Sequence, residues 1–218
     1  MTDRLAVVLE VAPKKSLASA LDWPGWSRSG KTPEGAIESL LAYAPRFQPV
    51  AREAGLSFPS SFEVDLVEQL DGGSGTDFGV PSRIHEPDRQ PVDAVDADRL
   101  ARIVAAAWAT FDRVAAGAPA ELRKGPRGGG RDRDRMVGHV IDSDWYYARE
   151  IGIRVKQPRA KDRETVEAIR ARVLDVLRQP SDGSPLADRK WTARYAYRRI
   201  AWHALDHAWE IEDRSGEA

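Results

Sequence analysis

Residues 198–214 read RRIAWHALDHAWEIEDR, and this stretch decides how the C-terminal half of the chain folds. Ile200, His203, His207 and Ile211 recur every three or four residues, the spacing of one face of an α-helix. Two of the four histidines in the chain therefore lie one helical turn apart on the same face. They are either ordinary polar residues on an aromatic helix or two ligands of a metal site that needs a third ligand.

Three earlier segments have the same helical periodicity as the last one. Leu100, Ile103 and Val104, for example, begin an apolar stripe that continues through Ala107 and Phe111. Four amphipathic helices of similar length predict a four-helix bundle. The predicted helices occupy residues 93–118, 131–152, 161–179 and 185–214.

The N-terminal part of the chain has a different pattern. Short β-branched or alternating runs predict strands, and Thr32-Pro33-Glu34 has the residues that start a helix. The predicted order is a small βββαβ unit over 1–70. Residues 71–92 are rich in glycine and proline and predict a linker, a lid or a wrapped loop. The whole chain is therefore expected to be α+β, with a bundle domain over 93–218.

A third histidine is available on the second predicted helix. His139 shares a helical face with Met136, Ser143 and Tyr147, which is expected to point into the bundle. Facing helices are where bundles build metal sites, and three histidines leave a coordination position open for water or substrate. The alternative is that His139 is a core histidine bonded to a tyrosine. The fourth histidine, His85, lies in the loop and is not part of this prediction.

The two histidine-bearing segments resemble a known family. MVGHVIDSDWYYAREIG at 136–152, together with RRIAWHALDHAWEIEDR, is similar to the DinB-like four-helix bundles, which include YfiT-type hydrolases and thiol-dependent transferases. The resemblance covers about 93–213. It implies that His139, His203 and His207 bind a divalent metal, zinc or nickel. It also implies a low-molecular-weight thiol such as mycothiol as a cofactor.

A second, shorter resemblance concerns residues 4–58. The stretch ALDWPGWSRSGKTPEGAIESLLAYAPRF at 20–47 is similar to the HicB-like unit of some antitoxins, in which a proline-glycine turn, a strand and a helix start recur. This sequence has Gly35 where a second acidic residue is common. The antitoxin role does not transfer, because no separate DNA-binding module follows.

Several polar residues near the histidines are candidates for catalysis. Asp142, one turn from His139, is expected to orient an imidazole or accept a proton, and Tyr147 to donate a hydrogen bond to a developing anion. Both could equally be structural, Asp142 as a solvated acid and Tyr147 as a core residue. Tyr146 and Tyr195 have the same two possible roles as Tyr147, a hydrogen-bond donor to an anion or a core residue. Asp206 is interpreted as an outer-shell or surface acid. Glu210, three residues past His207, is either a fourth ligand or an ordinary surface acid, and the latter is favoured.

Composition limits the function classes further. The 218 residues include no cysteine, so any metal must be held by histidine and carboxylate. A formal net charge of −1 gives no general reason to expect nucleic acid or an anionic membrane as partner. No signal peptide or transmembrane run is recognised, and a cytoplasmic protein is expected. A small-molecule substrate is the expected partner, and a homodimer is common among such bundles.

Three functions fit this pattern. The first is a metal-dependent, thiol-dependent S-transferase acting on a small electrophilic substrate. The second is a metal-dependent hydrolase that uses hydroxide on the metal. The third is a non-catalytic binding or assembly module with a structural histidine cluster. The sequence does not separate thiol from hydroxide chemistry, because both need the same open metal site.

Overall fold

The computed structural model describes residues 3–124, 130–159 and 162–216. Over these ranges the protein is α+β, with a four-stranded sheet in the N-terminal part and long helices in the C-terminal part. The strands are β1 (Asp3–Val11), β2 (Ser16–Ala20), β3 (Ser27–Gly30) and β4 (Phe62–Asp71). The helices are α1 (Pro33–Ala42), α2 (Ala44–Glu53), α3 (Ser74–Asp77), α4 (Ala94–Gly117), α5 (Arg133–Glu150), α6 (Arg163–Leu177) and α7 (Ala193–Ser215).

The sheet has the strand order β3-β2-β1-β4. β2 pairs antiparallel with both β1 and β3, whereas β4 pairs parallel with β1. A parallel pair needs a crossover connection, and α1 and α2 supply it. The pairing shifts by one residue between Val7 and Val8 of β1, where β4 carries an extra residue.

The predicted βββαβ order is wrong in one respect, because the single helix expected over 32–47 is two helices. α1 ends at Ala42 and α2 begins at Ala44, so the observed order is βββααβ. Pro45 lies in the first turn of α2. Proline has no N–H to donate to the preceding turn and its ring collides with it, so α1 cannot continue through this position. Proline is favoured in a first turn, where that N–H has no helical partner.

The four long helices α4, α5, α6 and α7 pack against one another, as expected for a helical bundle. α4 contacts α7 and α6, and α5 contacts the same two helices from the other side. A buried hydrogen-bonded group joins three of them: Asp144 of α5 accepts from Trp108 of α4 and from Arg170 of α6 at 3.0 and 2.9 Å. In the described parts of the chain, no helix combines the length and the apolar character needed to cross a membrane.

The turn between β2 and β3 packs directly on α7. Gly25, in the turn between β2 and β3, has a φ of +93°, and an added Cβ would lie 2.9 Å from Ala201 Cβ and 2.8 Å from Leu205 Cδ1. Only glycine fits both this backbone conformation and this close approach. One apolar core includes residues of the sheet and of the bundle. The proposed division into units 1–70 and 93–218 stays a prediction that truncation of the chain can test.

The segment 72–92 wraps against this junction and is held by a buried acid. Glu10 of β1 is 1% exposed. Its carboxylate accepts hydrogen bonds from the backbone of Ser82 and Arg83 at 3.0–3.1 Å and from the Thr76 hydroxyl at 2.7 Å. Of the three interpretations left open by the sequence, a wrapped loop agrees with these contacts.

A second buried charge pair ties the same segment to α7. Arg198 and Asp88 are 2% and 1% exposed and form a salt bridge, and Arg198 also donates to the Arg83 carbonyl at 3.0 Å. His85 is fully buried beside them and bonds Glu68 of β4 through Nδ1 at 2.8 Å. Sheet, loop and α7 therefore share one network of buried charges.

Candidate metal centre

The structure brings together the three histidines that the sequence singled out. His139 extends from α5, and His203 and His207 extend from successive turns of α7. Their potential ligand nitrogens all lie within 4.8 Å of one another. Nε2 of His203 is 3.1 Å from Nε2 of His139. The His207 ring stands nearly perpendicular to both others, with ring centroids 4.6–4.9 Å apart.

The spacing of these nitrogens suits a metal ion. Imidazole nitrogens at about 2.0–2.1 Å from a tetrahedral zinc are about 3.3–3.4 Å apart. The observed 3.1 Å between His203 and His139 is within a few tenths of an ångström of that spacing. Without a metal, the same two atoms would share one hydrogen bond. Three imidazoles and no thiolate form a donor set suited to zinc or nickel.

The environment keeps two of the imidazoles neutral. Burial, and next the neighbouring His207, lower the pKa of His139 to about 4. Burial also lowers the pKa of His203 well below its usual value, again with His207 as the second cause. Both rings therefore have a lone pair available at neutral pH, which metal binding requires.

One hydrogen-bond partner in the outer shell is visible. Nδ1 of His207 is 3.0 Å from Glu210 Oε2, and the other carboxylate oxygen accepts from Arg214 at 2.8 Å. With the proton on Nδ1, His207 presents Nε2 as the ligand atom. Carboxylates commonly orient metal-binding histidines in this way. The contact between Glu210 and His207 is one that the sequence interpretation of Glu210 as a surface acid did not include. Nδ1 of His203, by contrast, is buried and has no partner among the described residues.

The role of Glu210 can be tested by a single substitution. Glu210→Gln should weaken metal binding by roughly tenfold or more, because the amide holds the His207 ring less firmly and raises its basicity less. Competition with a chromophoric chelator measures the affinity. Glu212→Gln is the matched control, since Glu212 lies on the same helix but bonds Arg46 at 2.7 Å. Equal affinity of the two variants would contradict an orienting role for Glu210.

The histidines lie in an open cavity of about 610 Å³. It is formed by α5, α7 and the wrapped segment, which contributes Phe78 and Val80. Asp142 also lines this cavity, is exposed, and accepts a hydrogen bond from Gln157 at 2.8 Å. The structure thus places Asp142 at the cavity in a solvent-exposed position.

Tyr147 lies deeper, with its ring edge-on to His203 at a centroid distance of 5.5 Å. Only 5% of it is exposed, and burial raises the pKa of its phenol to about 12. It therefore remains protonated at neutral pH and can donate a hydrogen bond. No partner for its hydroxyl lies among the described residues within hydrogen-bonding distance.

The other sequence candidates differ in their placement. Tyr146 lines the cavity and is 52% exposed. The Tyr195 hydroxyl already donates to the Pro81 carbonyl at 3.1 Å. Asp206 lies at the cavity and forms a salt bridge with Arg28 of β3 at 3.0 Å. His85 belongs to the buried charge network and not to the histidine triad.

Sequence reasoning missed several residues of the cavity, among them two arginines and an aromatic side chain. Arg199 and Arg131 line it, and so does Phe78 from the wrapped segment. Arg199 precedes His203 by one helical turn, and this spacing could have placed it on the same face. Nothing in the sequence indicates that Phe78 reaches the bundle.

Comparison of the chain with family models, with curated proteins and with solved structures found no match. The fold and the site therefore rest on the geometry described above.

Proposed function

We propose that this protein is a metal-dependent enzyme of the DinB-like class, whose His139, His203 and His207 hold one zinc or nickel ion. The observation that carries the proposal is the convergence of three imidazoles within 4.8 Å at an open cavity. Structural metal sites are usually closed by four protein ligands, whereas catalytic sites keep a position open. Three protein ligands facing a cavity support catalysis over a purely structural role.

The particular activity that we propose is a thiol-dependent S-transfer, with a low-molecular-weight thiol such as mycothiol as the donor. This part comes from the resemblance of 136–152 and 198–214 to the DinB-like family. When bound, the divalent ion supplies Lewis acidity that makes a thiol more acidic at neutral pH. The chain has no cysteine that would compete with an incoming thiol for the site.

The residues around the histidines would move the protons of this reaction. The Asp142 carboxylate, exposed at the cavity, is the group that accepts the thiol proton. The sulfur lone pair then forms a bond to the electrophilic carbon, and the bond to the leaving group breaks with its electrons going to that group. Tyr147 stays protonated and donates a hydrogen bond to the negative charge that develops.

The proposed roles of the N-terminal unit are structural. Its HicB-like resemblance supplies no activity to the site. Its turn at Gly25 packs against Ala201 and Leu205 of α7, and the wrapped segment that follows the unit contributes Phe78 and Val80 to the cavity. We therefore propose that this unit supports α7, the helix that carries His203 and His207.

The proposed activity is tested by turnover of a chromogenic electrophile. Zinc-loaded protein should accelerate the attack of mycothiol on chlorodinitrobenzene, in which chloride leaves and the absorbance of the dinitrophenyl thioether product reports turnover. Tyr147→Phe should lower kcat by about 100-fold, the usual cost of losing one hydrogen-bond donor to a developing anion.

The matched control is Tyr43→Phe, because Tyr43 lies at the start of α2 and its hydroxyl contacts Arg46, outside the cavity. It should leave kcat within about twofold of the unsubstituted protein. Turnover that does not depend on the thiol, or an unchanged kcat in Tyr147→Phe, would contradict the proposed reaction.

A further inference from the structure

We infer that the substrate of this cavity carries an anionic group, a carboxylate or a phosphate, which the Arg199 guanidinium binds while the reacting group lies at the histidines. The inference rests on the proposed function only for the position of the reacting group. The anion-binding residues are present whether or not a metal is bound.

Arg199 is held in place without a carboxylate partner. Its guanidinium lies 4.8 Å from the Trp202 ring centroid and 5.4 Å from that of Tyr147. Nη1 is buried and has no hydrogen-bond partner, and no acid of the described residues comes within 4.0 Å of this guanidinium. Aromatic faces orient a guanidinium but do not satisfy its N–H groups. The side chain is therefore pre-organised for a partner that the protein itself does not provide.

The neighbouring charges favour an anion. Arg131 lines the same cavity, is exposed, and forms no salt bridge with the described residues. Of the two acids in the cavity wall, Asp206 forms a salt bridge with Arg28 at 3.0 Å and the exposed Asp142 accepts from Gln157 at 2.8 Å. Arg199, in contrast, has no carboxylate partner among the described residues of that wall. A guanidinium in a partly dehydrated site pairs best with a planar or tetrahedral oxyanion.

Two apolar residues of the cavity lining suit the rest of such a substrate. Phe78 is 82% exposed, an unusual state for a large aromatic side chain, and it lines the cavity together with Val80. Phe78, Arg199 and the histidines line one cavity, so a single small molecule in it can contact an apolar side chain, a cation and the triad. A small organic anion with an apolar body fits this lining.

Calorimetric titration with three compounds tests this inference. Benzoate and phenylphosphonate carry the two oxyanions on the same ring, and benzamide is their neutral analogue. Each is titrated into zinc-loaded and metal-free protein, into Arg199→Met and Arg199→Lys, and into Arg131→Gln. Arg172→Met is the matched control, because Arg172 is exposed on α6 and does not line the cavity. Circular dichroism checks the fold of each variant.

We expect the unsubstituted protein to bind at least one anion at least about tenfold more tightly than benzamide. Arg199→Met should abolish that preference, Arg199→Lys should reduce it, and Arg131→Gln should weaken it about two- to fivefold. Arg172→Met should retain it. The tighter of the two anions then identifies a carboxylate or a phosphate substrate.

The outcomes separate this inference from the proposed function. An Arg199-dependent preference that persists in metal-free protein supports the anion site, even if no metal binds to the histidines. Absence of any preference for anions overturns the inference. So does a preference that disappears with the metal and is unchanged in both Arg199 variants. Either of these two results leaves the metal centre intact.

Discussion

Arg198→Met should lower the free energy of unfolding by about 3–5 kcal/mol, a large share of the roughly 5–15 kcal/mol that stabilises most domains. Arg198 is 2% exposed and forms a salt bridge with Asp88, which is 1% exposed. Removing the cation would leave this carboxylate buried without its partner, close to the buried Glu10. The lost attraction accounts for the smaller part of the decrease in the free energy of unfolding. The larger part arises because the buried Asp88 carboxylate is left without a counter-charge and without water.

Urea unfolding followed by circular dichroism measures this effect. Arg172→Met, on an exposed surface, should change the free energy of unfolding by no more than about 0.5 kcal/mol. The double variant Arg198→Met, Asp88→Asn should be more stable than the sum of the two single changes predicts, because the stranded charge is then absent. A loss below about 1 kcal/mol in Arg198→Met would show that this network does not hold the wrapped segment on α7.

His203→Asn should remove the metal from the purified protein. The unsubstituted chain should carry about one divalent ion, since three imidazoles converge on one point. Loss of a direct ligand should cost more than the roughly 10- to 100-fold in affinity that removal of an outer-shell partner costs. Elemental analysis of protein purified without chelators gives the ratio of metal to chain.

His85→Gln provides the contrast for this measurement. His85 is buried against Glu68 in the charge network and is not one of the three converging histidines. Its substitution should lower stability but leave the metal ratio of the folded protein unchanged. A His203→Asn protein that keeps its full metal content would contradict the assignment of His203 as a metal ligand.

Periodicity was sufficient to predict the long helices and the histidine triad. His203 and His207 share a face because α7 is regular, and His139 meets them because α5 is a neighbour of α7 in the bundle. Apolar spacing specifies which face of each helix is buried, and the bundle then brings the buried faces together. The metal-binding candidates could therefore be identified from the sequence.

Contacts that depend on tertiary packing could not be identified in this way. The sequence pattern does not distinguish Asp142, which is exposed, from Asp144, which is buried between Trp108 and Arg170. Neither does it show that Glu10 would be enclosed by the wrapped segment. The break between α1 and α2 is different, because Pro45 was a local signal that the helix could not continue.

The central claim is that three histidines hold a metal that is open to a thiol, and a cobalt titration tests it most directly. Protein loaded with one equivalent of cobalt should show the visible bands of a low-symmetry nitrogen-ligated site. Addition of mycothiol should produce a new sulfur-to-metal charge-transfer band, because a soft sulfur ligand enters a site with no protein sulfur. His203→Asn should show neither spectrum. A cobalt spectrum that does not respond to mycothiol or to simpler thiols would contradict the thiol-dependent account.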